Sequence, residues 1–97
     1  MVDRYVEQVK DIVLEALAPY AASVWLFGSR ARGDATPASD VDVAVEPHEA
    51  LPPALLSELD EALEESSVPY FVDLVDLGRA DESFRARVRR EGVVWRP

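Results

Sequence analysis

The chain has 97 residues, 48% of them hydrophobic, which supports one compact core and leaves no room for a second. Nineteen Asp and Glu against ten Lys and Arg give a net charge of −9, a balance that disfavours loose, phosphate-driven binding of DNA or RNA. Cysteine is absent, excluding disulfides and thiolate metal sites, and no apolar run approaches the roughly 20 residues of a membrane span. With no signal-like segment at the start either, the expectation is a single soluble, cytoplasmic domain over residues 1–97 with no membrane association.

Residues 3–18 carry Tyr5, Val6, Val9, Ile12, Val13, Ala16 and Leu17 as one apolar stripe, predicting an amphipathic helix that Pro19 ends. Ser23-Val-Trp-Leu-Phe27 is short, β-branched and aromatic and stops at Gly28, the pattern of a buried strand. Ser29 to about Gly33 reads as a short helix opening directly from that turn, and Asp34–Ser39 as a loop. Asp40–Glu46 alternates strictly, which puts valines on one face of a strand and Asp40, Asp42 and Ala44 on the other.

A second long helix is expected after Pro47, with Pro52 and Pro53 in its first turn and Leu55, Leu56, Leu59, Ala62 and Leu63 as its stripe. Ser66–Pro69 is a connector, and Tyr70–Leu77 a third strand closed by Gly78. Asp81 suits the N-cap of a helix running to about Glu91, with Gly92 as its C-cap and Gly92–Trp95 as a last short strand. The order α-β-α-β-α-β-α-β implies an α/β fold of mixed (α+β) type: one small mixed sheet flanked by helices.

Asp40 and Asp42 stand at i and i+2 on an extended segment, so their side chains share a face with Cα atoms about 7 Å apart. Carboxylates crowded in this way repel each other unless a cation relieves them, and an all-oxygen donor set suits Mg²⁺ or Mn²⁺ rather than zinc. Mg²⁺ keeps waters and takes substrate phosphates as further ligands, so a phosphorylated substrate follows. Gly28-Ser29 supplies the matching half: a glycine turn leading into a helix offers backbone N–H groups and a hydroxyl to an anion. Arg30 and Arg32 are near enough in sequence to help neutralise phosphate. Neither GxxxxGK[ST] nor GxGxxG is present. A third acid could come from Tyr70–Leu77, where Asp73 and Asp76 fall on opposite faces and parity does not choose between them.

The segment GSRARGDATPASDVDVAV resembles the Gly-Ser…Asp-x-Asp signature of the DNA-polymerase-β-like nucleotidyltransferase superfamily. The leading helix, GSRARG, SDVDVAV, the later VDLV and the closing REG-x-V resemble the minimal nucleotidyltransferase (MNT) family over nearly the whole chain. The resemblance implies a polymerase-β-like fold in which Gly28 and Ser29 hold a nucleotide triphosphate. It also implies that Asp40, Asp42 and Asp73 are the catalytic carboxylates and hold two Mg²⁺ ions. Among the two candidates for the third acid it favours Asp73, whose face otherwise carries Phe71 and Val75.

Proteins of that family commonly pair with a HEPN-domain RNase toxin, so the resemblance implies an antitoxin that transfers AMP from ATP to a hydroxyl, as of tyrosine, on such a partner. The acidic surface suits a basic ribonuclease and disfavours direct nucleic-acid binding. Two rivals stand beside this reading: an idle antitoxin acting by occlusion, and nucleotidylation of a small molecule, for which the chain is short of a drug-binding domain. Other residues have plainer readings. Ser39 is a loop serine, His48 a surface histidine, and Trp25 and Trp95 core aromatics. The cluster Arg85, Arg87, Arg89 and Arg90 offsets a helix dipole, although it spans more than one face and part of it could reach a phosphate or a partner.

Overall fold

The computed structural model describes residues 3–97. Helix α1 (Arg4–Leu17) leads to strand β1 (Ala22–Phe27), a one-turn helix α2 (Ser29–Arg32) and strand β2 (Val41–Pro47). Helix α3 (Leu55–Glu65), strand β3 (Val72–Asp76), a 3₁₀ turn (Leu77–Arg79), helix α4 (Glu82–Glu91) and strand β4 (Val93–Arg96) follow. The four strands form one sheet in the order β3-β2-β1-β4, with β1 antiparallel to both β2 and β4, and β2 parallel to β3. No described helix is long and apolar enough to cross a membrane.

Strand alternation divides the core into two layers. One face of the sheet presents Val24, Leu26, Val41, Val43, Val45 and Val72 to Val9, Val13 and Leu17 of α1 and Leu59 and Leu63 of α3. The other presents Trp25 and Ala44 to Leu77 and Val88, so that α4 covers this second face. Each fully buried Val or Leu side chain contributes about 1.5–3 kcal/mol. Two aromatic contacts extend the layers: Phe27 meets Phe84 of α4 edge-on, and Tyr5 meets Tyr70 in the same way.

Asp3 caps α1, accepting from the N–H groups of Tyr5 at 2.8 Å and Val6 at 3.4 Å. The same carboxylate accepts the Tyr70 hydroxyl at 2.8 Å and pairs with Arg30 at 3.4 Å. Arg30 is nearly buried, lies 4.1 Å over the Tyr70 ring and donates to the Ser39 carbonyl at 2.9 Å. Its Nε is buried without a hydrogen-bond partner among the described residues. One arginine thereby ties the start of α1, the turn after β1, the loop before Asp40 and the approach to β3.

Several expectations shift on inspection. Strand β2 begins at Val41, leaving Asp40 as the residue just before it. Helix α3 starts at Leu55 rather than including Pro52 and Pro53, which lie in a preceding turn where the Pro52 carbonyl accepts from Leu55 N–H. The reason is local: a residue preceding proline is pushed out of the helical region, and Pro52 precedes Pro53. Ala62 is exposed, not part of the stripe. Strand β3 ends at Asp76, whose side chain accepts from Gly78 N–H at 2.8 Å and turns the chain into the 3₁₀ segment. Gly92 follows α4 with an ordinary negative φ of −75°, and its requirement is space: a Cβ there would lie 2.5 Å from the Val88 carbonyl oxygen. His48 is exposed as expected, and its ring meets the buried Ser23 hydroxyl at 2.6 Å.

The hydrogen bond from Tyr70, with help from the two backbone donors and Arg30 and against a desolvation penalty, holds the Asp3 carboxyl below its usual range. A lowered carboxyl pKa adds stability above the unfolded value that is lost as pH falls through the folded one. Asp3→Ala is therefore expected to lower Tm at pH 7 by roughly 4–8 °C, the equivalent of about 1 kcal/mol for a lost cap. The difference should shrink below about pH 4, as measured by thermal melts across pH.

Candidate active site

Strand β1 ends at Phe27, and Gly28 turns the chain with φ 76° and ψ −157°, a region that side-chain-bearing residues rarely enter. The Gly28 carbonyl accepts from the N–H groups of both Ala31 and Arg32 at 3.1 Å, which starts α2, and Gly33 closes it in the left-handed region. The first N–H groups of such a turn have no intrahelical acceptor. Ser29 is half-buried at this point.

Asp42 stands directly against the turn. A Cβ placed on Gly28 would lie 2.1 Å from Asp42 Oδ2, so only glycine permits this approach. In the ladder Asp42 is opposite Phe27 on one side and opposite Asp73 on the other. Adjacent strands are about 4.8 Å apart, and register partners project to the same face, so Asp42 and Asp73 are neighbours. They lie on the face that carries Ala44 and Trp25, beyond the part covered by α4. Asp40, exposed, is two residues earlier.

Electrostatics agrees with this placement. Desolvation, then the charges of Asp73 and Asp40, push the Asp42 carboxyl above its ordinary range, with Arg32 opposing them. Asp42 thus feels both other acids. Asp76 is engaged elsewhere, capping the 3₁₀ turn and facing Arg79.

The two arginines of the turn diverge. The Arg30 guanidinium is held by Asp3, Ser39 and Tyr70, and the structure does not bring it to the Gly28-Ser29 backbone. Arg32 is exposed, pairs with Asp34 at 3.4 Å and lies within electrostatic reach of Asp42. It also lines a small cavity of about 40 Å³ with Phe27, Gly28, Arg87, Val88 and Glu91. Of the cluster Arg85, Arg87, Arg89 and Arg90, any part of which could by sequence reach a phosphate or a partner, Arg87 is the member that lines this cavity. Arg85 is taken up by Glu82 and the Leu77 and Ala80 carbonyls, and Arg89 by Glu46. Arg87 lies over the Phe84 ring and forms no ion pair among the described residues. The available signal was helical phase: Arg87 follows Phe84 by three residues, which puts both on one side of α4, and Phe84 meets Phe27 at the end of β1.

Among the described residues no three Asp, Glu or His side chains are closed into a preformed cation cage. The donor set nevertheless fits a hard divalent cation, because a desolvated carboxylate flanked by two others is relieved by such an ion. Mg²⁺ characteristically takes only one or two protein carboxylates together with waters and substrate phosphates.

A family model described as polymerase beta, nucleotidyltransferase, matches residues 7–95. The chain is 40% identical over 86 residues to a Haemophilus influenzae protein named "Probable protein adenylyltransferase MntA", covering 89% of this chain and 74% of that protein. Its structure is similar to that of a toxin–antitoxin complex with AMP-PNP, with TM-score 0.70 and 28% identity over 89% of this chain and 71% of the other. It is also similar to a complex of a tri-AMPylated Shewanella oneidensis HEPN toxin with an MNT antitoxin. There the TM-score is 0.65 and the identity 26%, over 93% of this chain and 71% of the other.

A raised carboxyl pKa means stability that is present below the ordinary value of 3.8 and lost as pH rises through the folded value. Ionising Asp42 therefore works against the fold. Asp42→Asn is expected to raise Tm at pH 7 by about 2–5 °C and to leave it unchanged near pH 3, as read from paired melts.

Proposed function

The chain belongs to the polymerase-β nucleotidyltransferase family, and we propose that this protein is a Mg²⁺-dependent protein adenylyltransferase. In this reading it moves AMP from ATP to a hydroxyl of a HEPN-domain RNase toxin and serves as that toxin's antitoxin, with residues 1–97 acting as one minimal nucleotidyltransferase domain. The observation that carries the reading is the packing of Asp42 against Gly28, with Asp73 as its register partner. That contact sets an anion-binding turn and an acidic cluster side by side.

The roles follow from position. Gly28 and Ser29 present backbone N–H and hydroxyl donors to the triphosphate, and Arg32 with Arg87 flanks the same turn with positive charge. Arg30 acts one step back, fixing the Ser39 carbonyl and hence the approach to Asp40. Asp40, Asp42 and Asp73 would hold two Mg²⁺ ions. When bound, these ions neutralise charge on the triphosphate and lower the pKa of the attacking hydroxyl. Asp73 stands on the outermost of the strands bearing the acids, and in this reading it takes the hydroxyl proton. As the acceptor oxygen bonds to the α-phosphorus, the bond to the leaving pyrophosphate breaks. The net charge of −9 favours a basic partner, as an RNA-binding ribonuclease would be.

Incubation with ATP, Mg²⁺ and a HEPN partner, followed by intact-mass measurement of both chains, is expected to show AMP on the partner. The double variant Asp40→Asn with Asp42→Asn should give no adduct while keeping its fold by circular dichroism. An adduct from that variant would overturn the assignment, and a stable complex without any adduct would favour occlusion. Arg87→Ala is expected to weaken ATP binding about tenfold, the scale of one charge-assisted phosphate contact, as read by calorimetry.

A further inference from the structure

Strand β3 is an edge of the sheet, and no strand among the described residues pairs with its outer side. Val41 N–H donates to the Phe71 carbonyl at 2.9 Å, and Val41 is the register partner of Val72. In a parallel ladder of this register the peptide groups of residues 71, 73 and 75 turn toward β2, and those of Val72 and Leu74 turn outward. The outward groups face a groove of about 660 Å³ running between β3, the segment 47–53 and the start of α3. Asp73 lines this groove, so the groove is continuous with the acidic cluster.

We propose that this groove is the acceptor channel: an extended, basic segment of the protein substrate pairs with the free edge of β3 as an added strand. The proposal rests on the adenylyltransferase reading and specifies how the acceptor is presented. Three observations select this occupant. The outward amides and carbonyls of Val72 and Leu74, which no strand among the described residues takes up, are a template for an added main chain. Register then does chemical work: the side chain paired with Asp73 lies on the face shared by Asp42, which is where the hydroxyl must be. Its oxygen bonds to the α-phosphorus, its proton passes to Asp73 and pyrophosphate leaves. Charge supplies the third selection, because the groove carries Glu49, Asp60, Asp73 and Asp76 against Arg79 alone. Phe71, 62% exposed and two residues before Asp73, adds an apolar contact at the same wall.

The probe is a synthetic peptide with a central tyrosine flanked by lysines, supplied with ATP and Mg²⁺. Two N-methylated forms, each blocking alternate amides, test backbone pairing. One is expected to lose about tenfold or more in kcat/KM, because the amides it blocks face β3, while the other is retained. Hydrogen exchange at Val72 and Leu74 should slow on binding the unmodified peptide. A peptide with glutamate flanks should show a severalfold higher KM than the lysine peptide, and Asp60→Lys in the protein should raise KM for the lysine peptide severalfold without changing ATP affinity. Equal transfer to both methylated forms, unchanged exchange at Val72 and Leu74, or indifference to the flanks would overturn the channel. Failure of the wild-type protein to bind ATP with Mg²⁺ would instead remove the adenylyltransferase reading and the channel with it.

Discussion

The contact between Gly28 and Asp42 is the constraint on which the rest of the site depends. No side chain fits between the turn after β1 and the carboxylate of β2, and the backbone of the turn lies in a region open mainly to glycine. Because β1 and β2 are antiparallel neighbours, the end of one strand and the start of the other are forced together. The glycine turn and the acid-bearing start of β2 thus become one surface. The parallel strand β3 then adds its own acid at the register position of Asp42.

That arrangement places like charges together at one end of a sheet whose other parts are conventionally packed. The valines of β2 face α1 and α3, and Ala44 and Trp25 meet Leu77 and Val88, while the end of the second face that bears Asp73 is left exposed, as are Val93 and Val94 on β4. Asp42 is desolvated there beside two further acids, an expense to folding that makes sense for a site completed by cations. Rigidity comes from behind. Arg30, nearly buried between Asp3, Tyr70 and the Ser39 carbonyl, locks the turn and the loop before Asp40 to the N-terminus of α1.

Much of this was legible in the sequence because it rests on local signals. The order of elements followed from stripes, alternation and Gly or Pro punctuation, and the grouping of Gly28-Ser29 with Asp40 and Asp42 followed from spacing. What was hidden needed the third dimension. Parity alone left Asp73 and Asp76 equivalent, and strand pairing places one beside Asp42 and the other at a 3₁₀ cap. Arg30 and Arg32, two residues apart, were treated alike, yet one is a buried tie and the other faces solvent near Asp42. The tie involves Asp3 and Tyr70, 67 residues apart, which no local pattern links. Pro52 and Pro53 misled because prolines suit a turn before a helix as well as its first turn, and here they precede the N-cap Ala54.

In the proposed reading the groove beside β3 gives the acceptor an approach separate from that of the nucleotide. The turn and the arginines flank one side of Asp42, and Asp73 with the open edge flanks the other. The most direct test is paramagnetic: Mn²⁺ added with a non-hydrolysable ATP analogue to isotope-labelled protein. Broadening of amide signals centred on Gly28, Ser29, Asp40, Asp42 and Asp73 is the predicted result. Broadening centred on the acidic face of α3, with those five unaffected, would contradict it.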